Sequence, residues 1–165
     1  MSFTVPHAEL DRLEKQVQSA LRTAEDGALD ILGHGEVTLV LRLRTDDGAF
    51  ACKRLPVFPD RARFERYRRG LDEYLQRLTD SGLNVADTQL WHAHQPAGRI
   101  VAYCVQRELP ERRLCSRLLH TEDETWAKDF FSRFLDKVDR TVSPSLGLDA
   151  QASNWVDVGG ELVYL

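Results

Sequence analysis

The sequence predicts an α+β chain in two parts, and three patterns predict it. Residues 29–107 carry short runs of alternating apolar and polar side chains between turn signals, the period of half-buried strands. One helical stretch, 60–80, interrupts those runs. Beyond Pro110 the apolar spacing becomes mainly helical. Strands with one inserted helix, followed mostly by helices, favour segregated layers over an alternating parallel sheet.

Each element has its own local reason. Val5, Leu10, Leu13, Val17 and Leu21 recur at helical spacing, with Pro6 near the start, which predicts an amphipathic helix over 7–25 whose apolar stripe must dock on the rest of the domain. Val37, Leu39 and Leu41 alternate with Thr38, Val40 and Arg42, Asp46-Asp47-Gly48 marks a turn, and residues 49–52 resume an extended run. That is an antiparallel strand pair, preceded by Gly33-His34-Gly35 as a loop. Asp60 can cap a helix whose apolar positions are Phe64, Tyr67, Leu71, Tyr74, Leu75 and Leu78, and Gly82 ends it. Two more strands are expected over 85–91 and 99–107, joined by a turn at 94–98, with Glu108-Leu109-Pro110 as the breaker. Leu114, Leu118 and Leu119 predict a short helix. Trp126, Phe130, Phe134 and Val138, with Phe131 and Leu135 alongside, predict a long one over 122–141, which Pro144 and Gly147 end. Asn154-Trp155-Val156 and 162–165 form a hairpin around Gly159-Gly160. The expected organisation is an N-terminal helix at 1–27, a sheet domain at 28–107 and a helical part at 108–165.

Composition narrows the function classes. With 42% apolar and 29% charged residues, the 165-residue chain can bury a core. A net charge of −4 argues against a general nucleic-acid binder. The basic run from Arg61 to Arg69 is broken by Glu65 and flanked by Asp60 and Asp72, the composition of a solvated helix face. Cys52, Cys104 and Cys115 form no CxxC pair, which predicts reduced thiols and a cytoplasmic setting. No stretch reaches the roughly 20 apolar residues that span a bilayer, so no membrane partner is expected. His7, His34, His92, His94 and His120 form no metal-ligand pattern.

Three motifs carry chemistry. Gly33-His34-Gly35-Glu36-Val37-Thr38-Leu39-Val40 resembles the glycine-rich loop of protein kinases, with Thr38 in place of the third glycine. Lacking Cβ, Gly33 and Gly35 would let backbone N–H groups approach phosphates closely. Ala51-Cys52-Lys53 resembles the kinase strand that ends in a phosphate-binding lysine. Asp149-Ala150-Gln151-Ala152-Ser153-Asn154 resembles the D-x-x-x-x-N part of the catalytic loop, with Gly147-Leu148 where His-Arg is usual. Taken singly, each is also what a turn or a strand end supplies. Together they stand in kinase order with matching elements between them.

The chain therefore resembles the protein kinase-like superfamily over residues 28–165, nearest the aminoglycoside and choline phosphotransferase branch. The resemblance implies an antiparallel-sheet N-lobe with one inserted helix and a partial helical C-lobe. It implies ATP and Mg2+ as cofactors, and γ-phosphate transfer to a hydroxyl on a small molecule or a protein. Gly33, Gly35, Val40 and Lys53 would hold the nucleotide, with adenine near 106–109, Glu108 included. Asp149 would orient the acceptor hydroxyl and Asn154 would bind the metal. Glu73 has suitable spacing to pair with Lys53, though it points away from the apolar face of its helix; Glu65 lies nearer that face but earlier. A second metal-binding aspartate, opening an Asp-Phe-Gly-like segment, is expected just past Leu165, with further helices beyond. The alternative is an inactive pseudokinase-like binding or regulatory protein, since Thr38 and Gly147-Leu148 depart from the pattern.

Overall fold

The computed structural model describes residues 3–25, 27–34 and 39–165, without the side chain of His34. The protein is α+β: a five-stranded antiparallel sheet, a separate two-stranded sheet, and four α-helices among the described residues. The sheet with its one inserted helix fits the kinase-like layout expected from the sequence. No helix among the described residues is long and apolar enough to cross a membrane. Two compact units divide the chain, Met1–Arg68 with Asp87–Glu108, and Arg69–Ala86 with Leu109–Leu165. This division differs from the linear one expected. The N-terminal helix is part of the first unit because its stripe is buried there. The second half of helix 61–80 groups with the later residues because Tyr74 and Leu78 pack among their side chains.

The first unit is built on strands β1 (Ile31–His34), β2 (Leu39–Thr45), β3 (Gly48–Arg54), β4 (Thr88–His94) and β5 (Ile100–Arg107), in spatial order β1-β2-β3-β5-β4. The turn at Asp46-Asp47 works as the sequence requires, with Gly48 at φ +127°. Gly33 and His34, expected in a loop, belong to β1, where Ile31 and Gly33 pair with Leu41 and Val40 through an irregular register. Gly35, Val37 and Thr38 lie outside the described residues. Strand β4 begins three residues later than the pattern predicts. Val85 is instead drawn into a parallel bridge with Tyr164 in the second unit's own sheet segment.

Period-2 alternation gives the sheet two different faces. Leu41, Leu43, Phe50, Cys52, Trp91, Val101, Tyr103 and Val105 pack against helix α1 (His7–Thr23) through Leu10, Leu13 and Val17, with Phe3 and Val5. Leu21 falls outside this layer and is 67% exposed, so the stripe stops one turn short of expectation. On the opposite face Ala102, Cys104 and Leu90 meet Phe64 at the start of helix α2 (Arg61–Asp80), together with Leu55, Phe58 and Ile100. Asp60 caps that helix by accepting from the Arg63 N–H at 2.8 Å. Gly82, at φ +86°, ends it, with the Leu83 N–H donating to the Leu78 carbonyl at 3.1 Å.

One charged residue sits inside the α1 layer. Glu14 is buried, and its carboxylate accepts from both Arg54 nitrogens at 3.0 Å, from Gln18 at 2.6 Å and from the Tyr103 hydroxyl at 2.5 Å. Burial opposes its ionisation, but these hydrogen bonds and the Arg54 charge outweigh it and hold the carboxyl below its ordinary value.

The second unit contains α3 (Cys115–Thr121), α4 (Glu124–Thr141), β6 (Trp155–Val158) and β7 (Glu161–Tyr164). Asp123 caps α4 on the Trp126 N–H at 2.9 Å. Phe130 and Phe134 are buried with Trp155, Leu162 and Tyr164, whereas Phe131 and Leu135 are exposed. The Gly159-Gly160 turn carries two positive φ angles, 62° and 90°, as a two-residue hairpin of this type demands.

Removing one partner from a buried ion pair strands the other, so Glu14→Ala should cost about 3 kcal/mol or more of stability, measured by urea unfolding at neutral pH. The pH dependence has a definite sign. Because the folded carboxyl ionises below its ordinary value of 4.5, its contribution is complete above that value and is lost as pH falls through the folded one. Glu14→Gln should remove that segment of acid destabilisation, seen as a flatter stability profile as pH falls below 4.5.

Candidate functional site

The strand registers assemble the candidate residues of the first unit. Gly33 pairs with Val40, Val40 with Lys53, Lys53 with Cys104, and Cys104 with Leu90. Directly opposed residues in antiparallel strands share a face, so these five stand in one row across the sheet. Cys104 and Leu90 place the row on the α2 side, because both pack with Phe64. Within the row Leu90, Cys104 and Val40 are half-buried, and Lys53, between Val40 and Cys104, is exposed. Among the described residues Lys53 makes no ion pair. Its neighbour Arg54 points to the other face and is paired with Glu14.

Nothing among the described residues requires a glycine at 33. A Cβ built there meets no atom within 4 Å, and its φ lies outside the left-handed region. Gly33 therefore leaves open space on the same face as an ammonium that makes no ion pair among the described residues. Backbone N–H groups and a lysine are the donor set that phosphates take, so these residues fit a nucleotide's phosphates. Gly35 lies outside the described residues.

Glu108 has a structural engagement. Its carboxylate forms a two-pronged pair with Arg42, Nε to Oε2 at 2.7 Å and Nη2 to Oε1 at 2.8 Å, and its N–H donates to the Ala49 carbonyl at 2.9 Å. Arg42 also reaches Asp30 at 3.1 Å. Of the groups expected to meet adenine at 108, the side chain and N–H are thus committed to the sheet, which leaves the carbonyl. Two residues inward, Gln106 donates from Nε2 to Thr88 Oγ1 at 2.9 Å.

The second unit carries its own candidate residues. Asp149 and Asn154 are brought together: Asn154 Nδ2 donates to the Asp149 carbonyl at 3.3 Å, and a short 3-10 turn at Ala152–Asn154 closes the loop. This bond consumes the amide nitrogen and leaves Oδ1, a hard oxygen ligand of the kind magnesium takes. The Asp149 carboxylate is exposed. No group of three or more His, Cys, Asp or Glu residues among the described residues forms a ready metal cage. Magnesium in phosphate sites commonly takes only one or two protein ligands beside phosphate oxygens, so Asn154 fits that role. Glu73 is exposed on α2 and makes no ion pair among the described residues. Glu65, in the first unit, is engaged by Arg68 at 2.9 Å.

Sequence reasoning passed over Asp157. It is buried in β6, where Arg113 and Arg133 reach its carboxylate at 3.1 and 3.3 Å and the Gly160 N–H at 2.9 Å. Burial opposes its ionisation, and the Gly160 bond and the two guanidiniums outweigh that and hold it below the ordinary carboxylate range. An acid inside an apolar strand just before a Gly-Gly turn was the available signal. Its work is to lock the hairpin that follows Asn154.

The protein is thus an α+β chain with one open lysine face and one Asp–Asn loop. It belongs to a family described as a family of unknown function (DUF6206), whose model matches residues 12–165. No curated protein matches the chain.

The open space at Gly33 has a direct consequence. Gly33→Ala should leave the melting temperature within about 2 °C, because the added methyl meets nothing and its backbone angle is an ordinary one. A larger fall, measured by thermal unfolding, would mean that the fold itself needs the glycine.

Proposed function

We propose that this protein is an ATP-binding, kinase-like phosphotransferase acting on a hydroxyl acceptor. The observation that carries the reading is the row Gly33–Val40–Lys53: an open glycine, a half-buried apolar residue and an ammonium without an ion pair among the described residues, on one sheet face. Three motifs in kinase order support it, as does the five-stranded sheet with its single inserted helix. Bound ATP supplies the γ-phosphoryl group, and magnesium neutralises its charge. Lys53 offers its ammonium to the phosphates, with backbone N–H groups at Gly33 and Gly35 beside it. Val40 gives the base an apolar surface, and the Glu108 carbonyl is the remaining acceptor at that position. Asn154 holds the metal through Oδ1, and Asp149 orients the acceptor hydroxyl. Glu73 is the proposed partner for Lys53. The three free cysteines fit the reducing cytoplasm as its setting.

A second reading has its own support. Gly147-Leu148 stands where His-Arg is usual, and Thr38 replaces a glycine, which fits a pseudokinase that binds nucleotide without transfer. The two readings part on one assay: transfer of labelled γ-phosphate, to water or to an acceptor, occurs only under the first.

Lys53→Ala tests what both share. ATP affinity should fall roughly tenfold or more, the loss of a charge-assisted contact, with the melting temperature nearly unchanged because the ammonium serves no core partner. Titration of MgATP against the thermal shift of each protein measures both quantities. Equal affinity in the two, or no binding by either, would sink the nucleotide reading.

A further inference from the structure

We propose that Tyr74 is a positioning residue that sets the backbone of the Asp149 loop, doing from helix α2 what no residue immediately before Asp149 can do. The proposal rests on the phosphotransfer reading for its catalytic consequence. The geometry lies wholly within the second unit. The Tyr74 hydroxyl donates to the Gly147 carbonyl at 3.3 Å, two residues before Asp149. Asn154 Nδ2 donates to the Asp149 carbonyl at 3.3 Å, on the other side of the same residue. The loop is therefore held by side-chain donors at two carbonyls that bracket Leu148 and Asp149. Leu148 packs into the apolar cluster of Trp155, Leu162 and Tyr164, which fixes the segment from below.

Tyr164 completes the arrangement. It is buried, and its ring packs against Trp155 at 5.2 Å. Burial raises its hydroxyl's pKa, and the Tyr74 hydroxyl and the backbone of Asp149 both act on it, so the two phenols and the Asp149 backbone are neighbours. Its main chain is tied as well: the Tyr164 N–H donates to Asn84 and its carbonyl accepts from Ala86, both at 2.8 Å. Tyr74 thus reaches the loop from a helix, and Tyr164 supports it from a strand whose own position is fixed.

The arrangement has a chemical purpose. Gly147 has no side chain, and Leu148 carries no polar group, so neither can hold Asp149 by a hydrogen bond of its own. The exposed Asp149 carboxylate makes no hydrogen bond to another side chain among the described residues. Its direction then depends on the backbone that carries it. A carboxylate that must meet an acceptor hydroxyl loses rate steeply when it drifts by an ångström. Holding the backbone, and leaving the carboxylate free, keeps it aimed and available.

The test is Tyr74→Phe in the full chain, which removes one oxygen and keeps the ring. Three measurements are made on it and on the parent: melting temperature, amide hydrogen exchange across residues 145–165, and MgATP turnover with water as acceptor. The expected result is an unchanged melting temperature and faster exchange confined to residues 147–150. The kcat should fall roughly tenfold or more with KM for ATP unchanged. Tyr74→Trp, which lacks a hydroxyl at that place, should behave as the Phe variant. Exchange at 147–150 equal to the parent's overturns the proposal whatever the turnover. Exchange rising throughout β6 and β7, or KM rising as much as kcat falls, also overturns it and makes Tyr74 a packing residue. A parent that turns over no ATP sinks the phosphotransfer reading separately, and the exchange result then decides alone whether Tyr74 holds the loop.

Discussion

The register between β2 and β3 is the constraint on which the candidate nucleotide face depends. Val40 opposes Lys53, and Leu41 opposes Cys52. Side chains alternate along a strand, so a slip of one residue would turn Lys53 into the layer of Leu41, Phe50 and Val105 beneath α1. An unpaired ammonium there would cost several kcal/mol, and Cys52 and Phe50 would be expelled to the other side. The turn adds its own restraint: Thr45 Oγ1 accepts from the Asp47 N–H at 3.2 Å, and Gly48 takes a backbone angle that few other residues accept. Strand β1 hangs from this pair through Gly33 and Val40, and β5 through Cys104 and Lys53. Four strands thus take their lateral positions from one hairpin.

Lys53 and Arg54 show what that alternation does to two adjacent cations. Arg54 turns towards α1, where Glu14 and Tyr103 meet it inside an apolar layer. Lys53 turns to the open face and stays unpaired among the described residues. A buried charge is tolerable only when its hydrogen-bonding groups are nearly all met, and the Glu14 network meets this condition. Such a network adds less stability than apolar packing of equal size, but it admits very few alternative seatings of α1. The strand that carries Lys53 is therefore held from behind while its lysine remains available in front.

The second unit repeats the device around Asp157. Arg113 reaches it from the turn before α3 and Arg133 from α4, while Gly160 closes the hairpin on its carboxylate. Arg113 also donates to the Asp157 carbonyl at 2.8 Å. The hairpin is short, and two strands of four residues are marginal alone. Its burial among Phe130, Phe134 and Leu146, with these ionic ties, makes it a firm base for the loop that ends at Asn154.

Most elements were legible in the sequence because their causes are local. Asp60 announces a helix start, Gly82 announces an end, and Asp46-Asp47-Gly48 and Gly159-Gly160 announce hairpins. Period-2 alternation around such a turn also puts Val40 and Lys53 on one face without further information. Strand β1 was not legible, since four residues with a glycine carry too little pattern, and only pairing with β2 makes them a strand. The start of β4 was misplaced because Val85 is as apolar as a strand residue but bonds elsewhere. Glu14 with Arg54, and Arg42 with Glu108, are 40 and 66 residues apart, and Tyr74 lies 73 from Gly147. The sequence by itself determined the helices, the hairpin turns and most of the strands, and which side chains of a strand share a face. Only the tertiary structure decided which charges are consumed by partners and which loop carbonyls are held. Local backbone preferences act over a few residues, whereas a hydrogen-bond partner across the fold exists only once the sheet has closed and the helices have docked.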